Sequence, residues 1–356
     1  MENAKKVLLI FILVSPFSYA QPIPRKLPLL DSLTHKIEQN SYPNMHAVLI
    51  SQNGVTVYQH YTNGYTSDSL HDSRSSFKSI ASLLTGIAID KGFIRNTAQR
   101  VYSFFPEYTS YQHWDSRKDQ MTLDDLLTMK TGFDCEEFNG TRDCEEAMSQ
   151  SKDWVKFSLD LPLANRPGTH WAYTSAAPMI LSGVIANASK MTIVAFAEKY
   201  LFKPLGISRY RWTMDSAQHG MTAGSFFIRP ADMLKIGQLV ANQGNWQGKQ
   251  IVSKAWIDKS TRAVTAISNF SFVGSSRTKR AQPQPTYYGY YWYREQLVTN
   301  SFKHDVLFAS GNGGQYIMLI DDLKLVVVFT GGNYNSWKAK LPFEALAAYI
   351  IPSVAR

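Results

Sequence analysis

Apolar residues three and four apart alternate along this chain with short continuous apolar runs, a pattern that predicts helices and strands within one fold. Leu27, Leu30, Leu33 and Ile37 share one face of a first helix, which fails at the polar Gln39-Asn40-Ser41. Two strand-like runs follow at 46–51 and 55–61. Asn53-Gly54 lies between them, and because both residues tolerate positive φ the dipeptide predicts a tight hairpin. A polar loop, 62–74, leads to Ser75. Beyond it Ile80, Leu83, Leu84 and Ile87 repeat on one helical face until Lys91-Gly92, which predicts a long helix with a glycine stop.

The middle third predicts mostly helix. Thr122 and Asp125 form a capping-box signature ahead of Leu126-Leu127, and further helices are expected at 153–159, 176–188, 192–202 and 230–242, the last stopped by Gly244. From Tyr287 the texture turns to strands, at 288–295, 306–309, 315–320 and 325–330, before a last helix at 342–351. The early hairpin and the late strands have no other sheet to join. The expected fold is therefore α+β: one antiparallel sheet from both chain ends, flanked by helices (21–75 and 287–356), with a mainly helical lobe inserted between them (76–286). The stretch 264–286, rich in Ser, Pro, Gln and basic side chains, is expected to be a mobile loop and a candidate lid.

Composition narrows the class. With 44% hydrophobic and 18% charged residues in 356, a disordered tail, a coiled coil and a collagen-like rod are excluded. Residues 1–20 read as a secretory leader: Lys5-Lys6, an apolar run from Val7 to Val14, a break at Pro16, and small residues in Ser18-Tyr19-Ala20 ahead of cleavage before Gln21. The run is well short of the roughly 20 residues of a spanning helix. The mature chain, 21–356, is expected to be exported, to a bacterial periplasm, without spanning a membrane. Cys135 and Cys144, the only cysteines, lie nine positions apart in an acidic, turn-rich stretch, and an oxidising compartment would close them into one disulfide. The eight histidines have no paired spacing, so neither a metal nor another cofactor is expected. The net charge of +9 is spread along the chain, with short clusters at 209–211 and 277–280. Without the basic helix that nucleic-acid binding requires, it reads as a solvated surface or an affinity for an anionic cell envelope, with cell-wall material a candidate partner.

Ser75-Ser76-Phe77-Lys78 is an S-x-x-K tetrad, and on a helix that spacing sets Lys78 one turn from Ser75 on the same face. A desolvated amine there helps to deprotonate the hydroxyl. Ser149/Lys152 and Ser276/Lys279 share the spacing, but only Ser75 stands where a loop turns into a long apolar helix, with a backbone N–H free to meet a developing oxyanion. The duller alternative for Ser75 is a helix cap beside a solvated lysine. The run 74–92 resembles the nucleophile helix of the β-lactamase-related serine hydrolases, which include class C β-lactamases, D-Ala-D-Ala carboxypeptidases, esterases and 6-aminohexanoate-dimer hydrolases. Four more segments resemble that family's in order: 122–132 its "LLxMxSG", 167–175 its "PGxxxxYSN", 229–251 its helix and "G-x-W-x-G-K-Q-I" hairpin, and 309–315 its "GxGGQ" box on the innermost strand.

The resemblance implies a mechanism. Ser75 would form an acyl-enzyme, Lys78 and Tyr173 would be its acid–base pair, and the backbone N–H groups of Ser75 and Asn312 would hold the oxyanion, with Ser175, Ser310 and Gly311 also contacting substrate. Two departures bear on the substrate, a small ester or amide. Tyr173-Thr174-Ser175 replaces the family's Tyr-x-Asn, so a shorter hydroxyl stands where an amide would bridge lysine and substrate. Ala309-Ser310-Gly311 replaces Lys-Thr-Gly or His-x-Gly, removing the cation that would meet a carboxylate and counting against β-lactams and D-Ala-D-Ala termini. Lys303 and His304 are the remaining cations on that strand, and Tyr287, Tyr288, Tyr290, Tyr291 and Trp292 read either as the wall of an apolar cleft or as core. A D-amino-acid peptidase or weak β-lactamase, and a binding protein of the same fold without turnover, are the rival expectations.

Overall fold

The computed structural model describes residues 27–137 and 142–355; the expected leader lies outside the described residues. Among the described residues, eight strands form one antiparallel sheet: β1 (Met45–Gln52), β2 (Val55–Tyr61), β3 (Thr265–Ala266), β4 (Tyr287–Tyr288), β5 (Tyr293–Val298), β6 (Lys303–Gly311), β7 (Gln315–Ile320) and β8 (Leu325–Gly331). Their spatial order is β2-β1-β8-β7-β6-β5-β4-β3, so the first hairpin joins the last strand, with Ala47 opposite Thr330 and Leu49 opposite Val328. The hairpin turn takes the left-handed φ values of 52° at Asn53 and 79° at Gly54 that the dipeptide makes cheap.

The central strands are covered on both faces, which explains why β7 and β8 are continuous apolar runs. On one face the helix Pro230–Ala241 lies so close that a Cβ on Gly237 would come within 2.4 Å of Val326. On the other, Phe343 of the C-terminal helical segment packs on Phe308 and Tyr316, with ring centroids 5.2 and 5.4 Å away. Among the described residues no single helix is long and apolar enough to cross a membrane.

Three expectations change. The stretch 76–286 is not confined to a helical lobe, because Pro230–Ala241 covers the sheet and Thr265–Ala266 extends its edge. The strand expected at 288–295 breaks into β4 and β5: Gly289 passes against the Ser260 and Arg262 carbonyls, and Tyr291 takes φ 65° in the turn. The candidate lid at 264–286 is anchored rather than loose. Its helical turn Phe272–Ser275 buries Phe272 and Val273, whose N–H groups donate to Glu295 at 2.8 and 3.1 Å.

Candidate active site

A small sheet of His71–Asp72, Tyr210–Trp212 and Phe226–Ile228 delivers the chain to Ser75. Asp72 accepts the Arg74 N–H at 2.9 Å, and Arg74 takes φ 48°, a left-handed value uncommon for a side chain of its size. A 3-10 turn, Arg74–Ser76, then leads into the helix Phe77–Asp90, in which every residue from Phe77 to Ala88 is buried. The one-sided apolar stripe of the sequence had concealed a helix at the centre of the molecule. Phe77 pins its start, 4.5 Å from the Phe226 ring and 4.8 Å from Trp212.

One turn on, the Lys78 ammonium is matched to three acceptors, one for each of its protons. It donates to Ser75 Oγ at 2.9 Å, to the Ala223 carbonyl at 2.8 Å and to Ser175 Oγ at 3.3 Å, and the side chain is only 2% exposed. The Tyr173 ring faces it, its centroid 4.9 Å from Nζ. The other two tetrads have no such arrangement: the Ser149 hydroxyl turns back to the Glu146 carbonyl and that of Ser276 to Val273.

Behind Ser175 stands Glu137, which the sequence reading missed. Its Oε1 accepts the Ser175 N–H at 2.6 Å and the Thr174 hydroxyl at 3.2 Å, and its Oε2 accepts the Ser175 hydroxyl at 2.8 Å. Burial of the carboxylate raises its pKa above the ordinary glutamate value, opposed by the charge of Lys78 and by the Ser175 bonds. Cys135 and Cys144 are joined as a disulfide beside it, and Cys135 Sγ accepts the Thr174 hydroxyl at 3.3 Å. The only signal in sequence was the nearness of Glu137 to Cys135.

The innermost strand, β6, supplies the facing wall. Gly311 passes so close to the turn before Ser75 that a Cβ there would lie 2.4 Å from the Ser73 carbonyl, so no side chain fits. The Asn312 side chain is taken up by Asn335, in a pair of hydrogen bonds at 2.7 and 2.9 Å, while Ser310 bonds the buried Tyr316 hydroxyl. Gly313 and Gly314 turn the strand at φ 95° and 101°, and the Gln315 amide grips both backbone groups of Gly331.

Between these walls lies a cleft of about 680 Å³, lined by Ser75, Glu137, Tyr173, Ser310, Gly311 and Asn312, and also by Arg74, Tyr293 and Lys340. It therefore holds two cations that the sequence reading did not place. Lys303 and His304 are at the far end of β6, about 25 Å away at 3.3 Å per residue, and His304 is bound to Asp322 at 2.6 Å. Tyr288, Tyr290, Tyr291 and Trp292 are core residues; the cleft tyrosine is Tyr293, hydrogen-bonded to Tyr173 and raised well above the usual phenol range by burial. Among the described residues one cluster brings metal-ligand atoms together, Asp153, Asp215 and His219, but it is outside the cleft and its oxygens already accept from Tyr108, Trp154, Lys156 and His219.

The geometry agrees with three comparisons. The beta-lactamase family profile matches residues 33–348. The 6-aminohexanoate-dimer hydrolase of Paenarthrobacter ureafaciens is 22% identical over 258 residues, 68% of this chain and 64% of its own length, so the match spans less than two thirds of that relative. Among solved structures, the octameric penicillin-binding protein homologue of Pyrococcus abyssi superposes with TM-score 0.65 at 17% identity, over 90% of this chain and 76% of its own. A penicillin-binding protein homologue of Caulobacter crescentus gives 0.65 at 13% identity, over 94% and 99%. At these identities the structures speak for the fold, and the profile for membership: this chain belongs to the beta-lactamase family.

Proposed function

We propose that the protein is an exported serine hydrolase that cleaves a small ester or amide through an acyl-enzyme on Ser75. The observation that carries this reading is the 2.9 Å bond from the buried Lys78 Nζ to Ser75 Oγ, with Tyr173 against the same ammonium. A solvated lysine beside a cap serine would have neither the burial nor the second and third acceptors. Ser75 Oγ attacks the carbonyl carbon, and its proton passes to the Lys78–Tyr173 pair. The backbone N–H groups of Ser75 and Asn312 meet the oxyanion. The leaving alcohol or amine takes that proton as its bond to the acyl carbon breaks, and water, activated by the same pair, releases the acid.

The hydrolase name of the Paenarthrobacter relative accords with amide cleavage. A second reading, a D-amino-acid peptidase or weak β-lactamase, is favoured by Arg74 and Lys340, which provide the cleft with charge for a substrate carboxylate. Export rests on residues 1–20; a product of secretion that begins at Gln21, read by mass, is the expected outcome. The test of the activity is the intact mass after a fluorophosphonate probe, run beside Ser75→Ala. One adduct on the parent and none on the variant is expected; a folded parent that takes no adduct overturns the reading in favour of a binding protein. Penicillin in place of the probe separates the two substrate classes.

A further inference from the structure

We infer that Glu137 is a positioning residue for this centre: acting through the Ser175 hydroxyl, its carboxylate keeps Lys78 the proton-bearing member of the Lys78–Tyr173 pair. The inference rests on the reading of Ser75 given above and adds a role that its tetrad does not contain. The argument begins with the polarity of a hydrogen-bond chain. Ser175 Oγ accepts from Lys78 Nζ at 3.3 Å and donates its own proton to Glu137 Oε2 at 2.8 Å. An ionised carboxylate can only accept, so the chain runs one way, from ammonium to hydroxyl to carboxylate. Reversing it would aim the Ser175 proton at Lys78 Nζ, an arrangement that suits an amine and repels an ammonium.

The charges around the chain favour the same direction. The charge of Lys78 favours the ionised form of Glu137 and that of Glu145 opposes it; Asp143, Arg74, Tyr173 and Tyr293 also line the cleft, with Tyr293 hydrogen-bonded to Tyr173. The chain also holds Glu137 in place from several directions. Its N–H donates to the Tyr173 carbonyl at 2.8 Å, Glu136 and Arg142 exchange backbone bonds at 2.9 and 3.2 Å, and the Cys135–Cys144 disulfide closes the segment. The consequence is a division of labour. Tyr173 receives the Ser75 proton and passes it to the leaving group, while Lys78 keeps its protons and Glu137 stays ionised throughout.

Glu137→Gln is the informative variant, because Gln fits. Its amide oxygen can keep the Ser175 N–H, and its NH2 can donate to Ser175 Oγ, which turns the chain round. The measurement is a 13Cε-lysine NMR titration of the full chain, with the Lys78 signal assigned by its loss in Lys78→Arg. In Glu137→Gln the Lys78 midpoint is expected to fall by about one pH unit or more, and the rising limb of the pH–rate profile with p-nitrophenyl acetate to move the same way. An unmoved Lys78 midpoint overturns the inference. Should Glu137→Gln not fold, Glu137→Asp withdraws the charge by one methylene, and a smaller fall is expected; no fall there overturns it equally. The titration needs no turnover, so a parent without a Ser75 adduct that still shows the shift would sink the proposed activity and leave the coupling standing.

Discussion

Glu137 and Glu295 both carry carboxylates drawn into the protein beside the cleft, and burial raises both above the ordinary glutamate range, yet their company differs. Glu295, 1% exposed, accepts from the Phe272 and Val273 N–H groups and from the Ser271 and Thr286 hydroxyls. All four donors are neutral, and they tie the segment after β3 onto β5. Glu137 has three neutral donors and, through one of them, a cation bonded to the serine. A buried carboxylate among neutral donors holds a fold together. On the proposed mechanism, one linked to a lysine at the nucleophile governs where a proton sits.

That contrast can be broken in four ways. The largest effect expected is at Ser75, which sets the scale for everything coupled to it: Ser75→Ala should lower p-nitrophenyl acetate hydrolysis at least about 1000-fold, while Ser149→Ala and Ser276→Ala leave the rate within about twofold. Next comes the same substitution at the two glutamates. Gln at 137 should lower the plateau rate about tenfold and leave stability within about 1 kcal/mol. At 295 its NH2 must face backbone N–H donors on either side, so urea denaturation should show a loss of about 2–3 kcal/mol with kcat little changed. Equal effects on rate and stability at both positions would erase the distinction.

The disulfide ranks third. Replacing Cys135 and Cys144 together by Ser removes a short loop closure, for which about 2–3 kcal/mol is expected in thermal unfolding. Because the loop carries Glu137, the hydrolysis rate should fall with it, which loss of stability alone would not produce below the transition. The smallest effect is in pH. As pH rises above the ordinary glutamate value near 4.3, the unfolded chain releases the Glu295 proton first while the folded protein still holds it. Stability contributed by that retention is therefore full below this value, declines through the window up to the raised folded value, and is flat above it. The parent's Tm should fall through the window relative to that of Glu295→Gln, and parallel curves would show that Glu295 is not raised.

Much of this was legible along the chain because it depends on neighbours in sequence. Asn53-Gly54 makes its own hairpin, Thr122 and Asp125 cap their own helix in both directions, and a tetrad on a helix brings Lys78 to Ser75 wherever the helix lies. Local pattern failed where burial is complete or where partners are distant. It could not say that the helix after Ser75 is enclosed on all sides, that Tyr288, Tyr290, Tyr291 and Trp292 are core while Tyr287 is exposed and Tyr293 reaches the cleft, or that Arg74 and Lys340 would return a cation to a site whose motif lacks one. Glu137 shows the boundary most plainly. Nothing within the sequence around it marks a site residue, since its meaning comes from Ser175, thirty-eight positions later, and Lys78, fifty-nine earlier. Backbone propensity and helix periodicity act over a few residues and so belong to the sequence; the company a buried charge keeps is decided only when distant segments close around it.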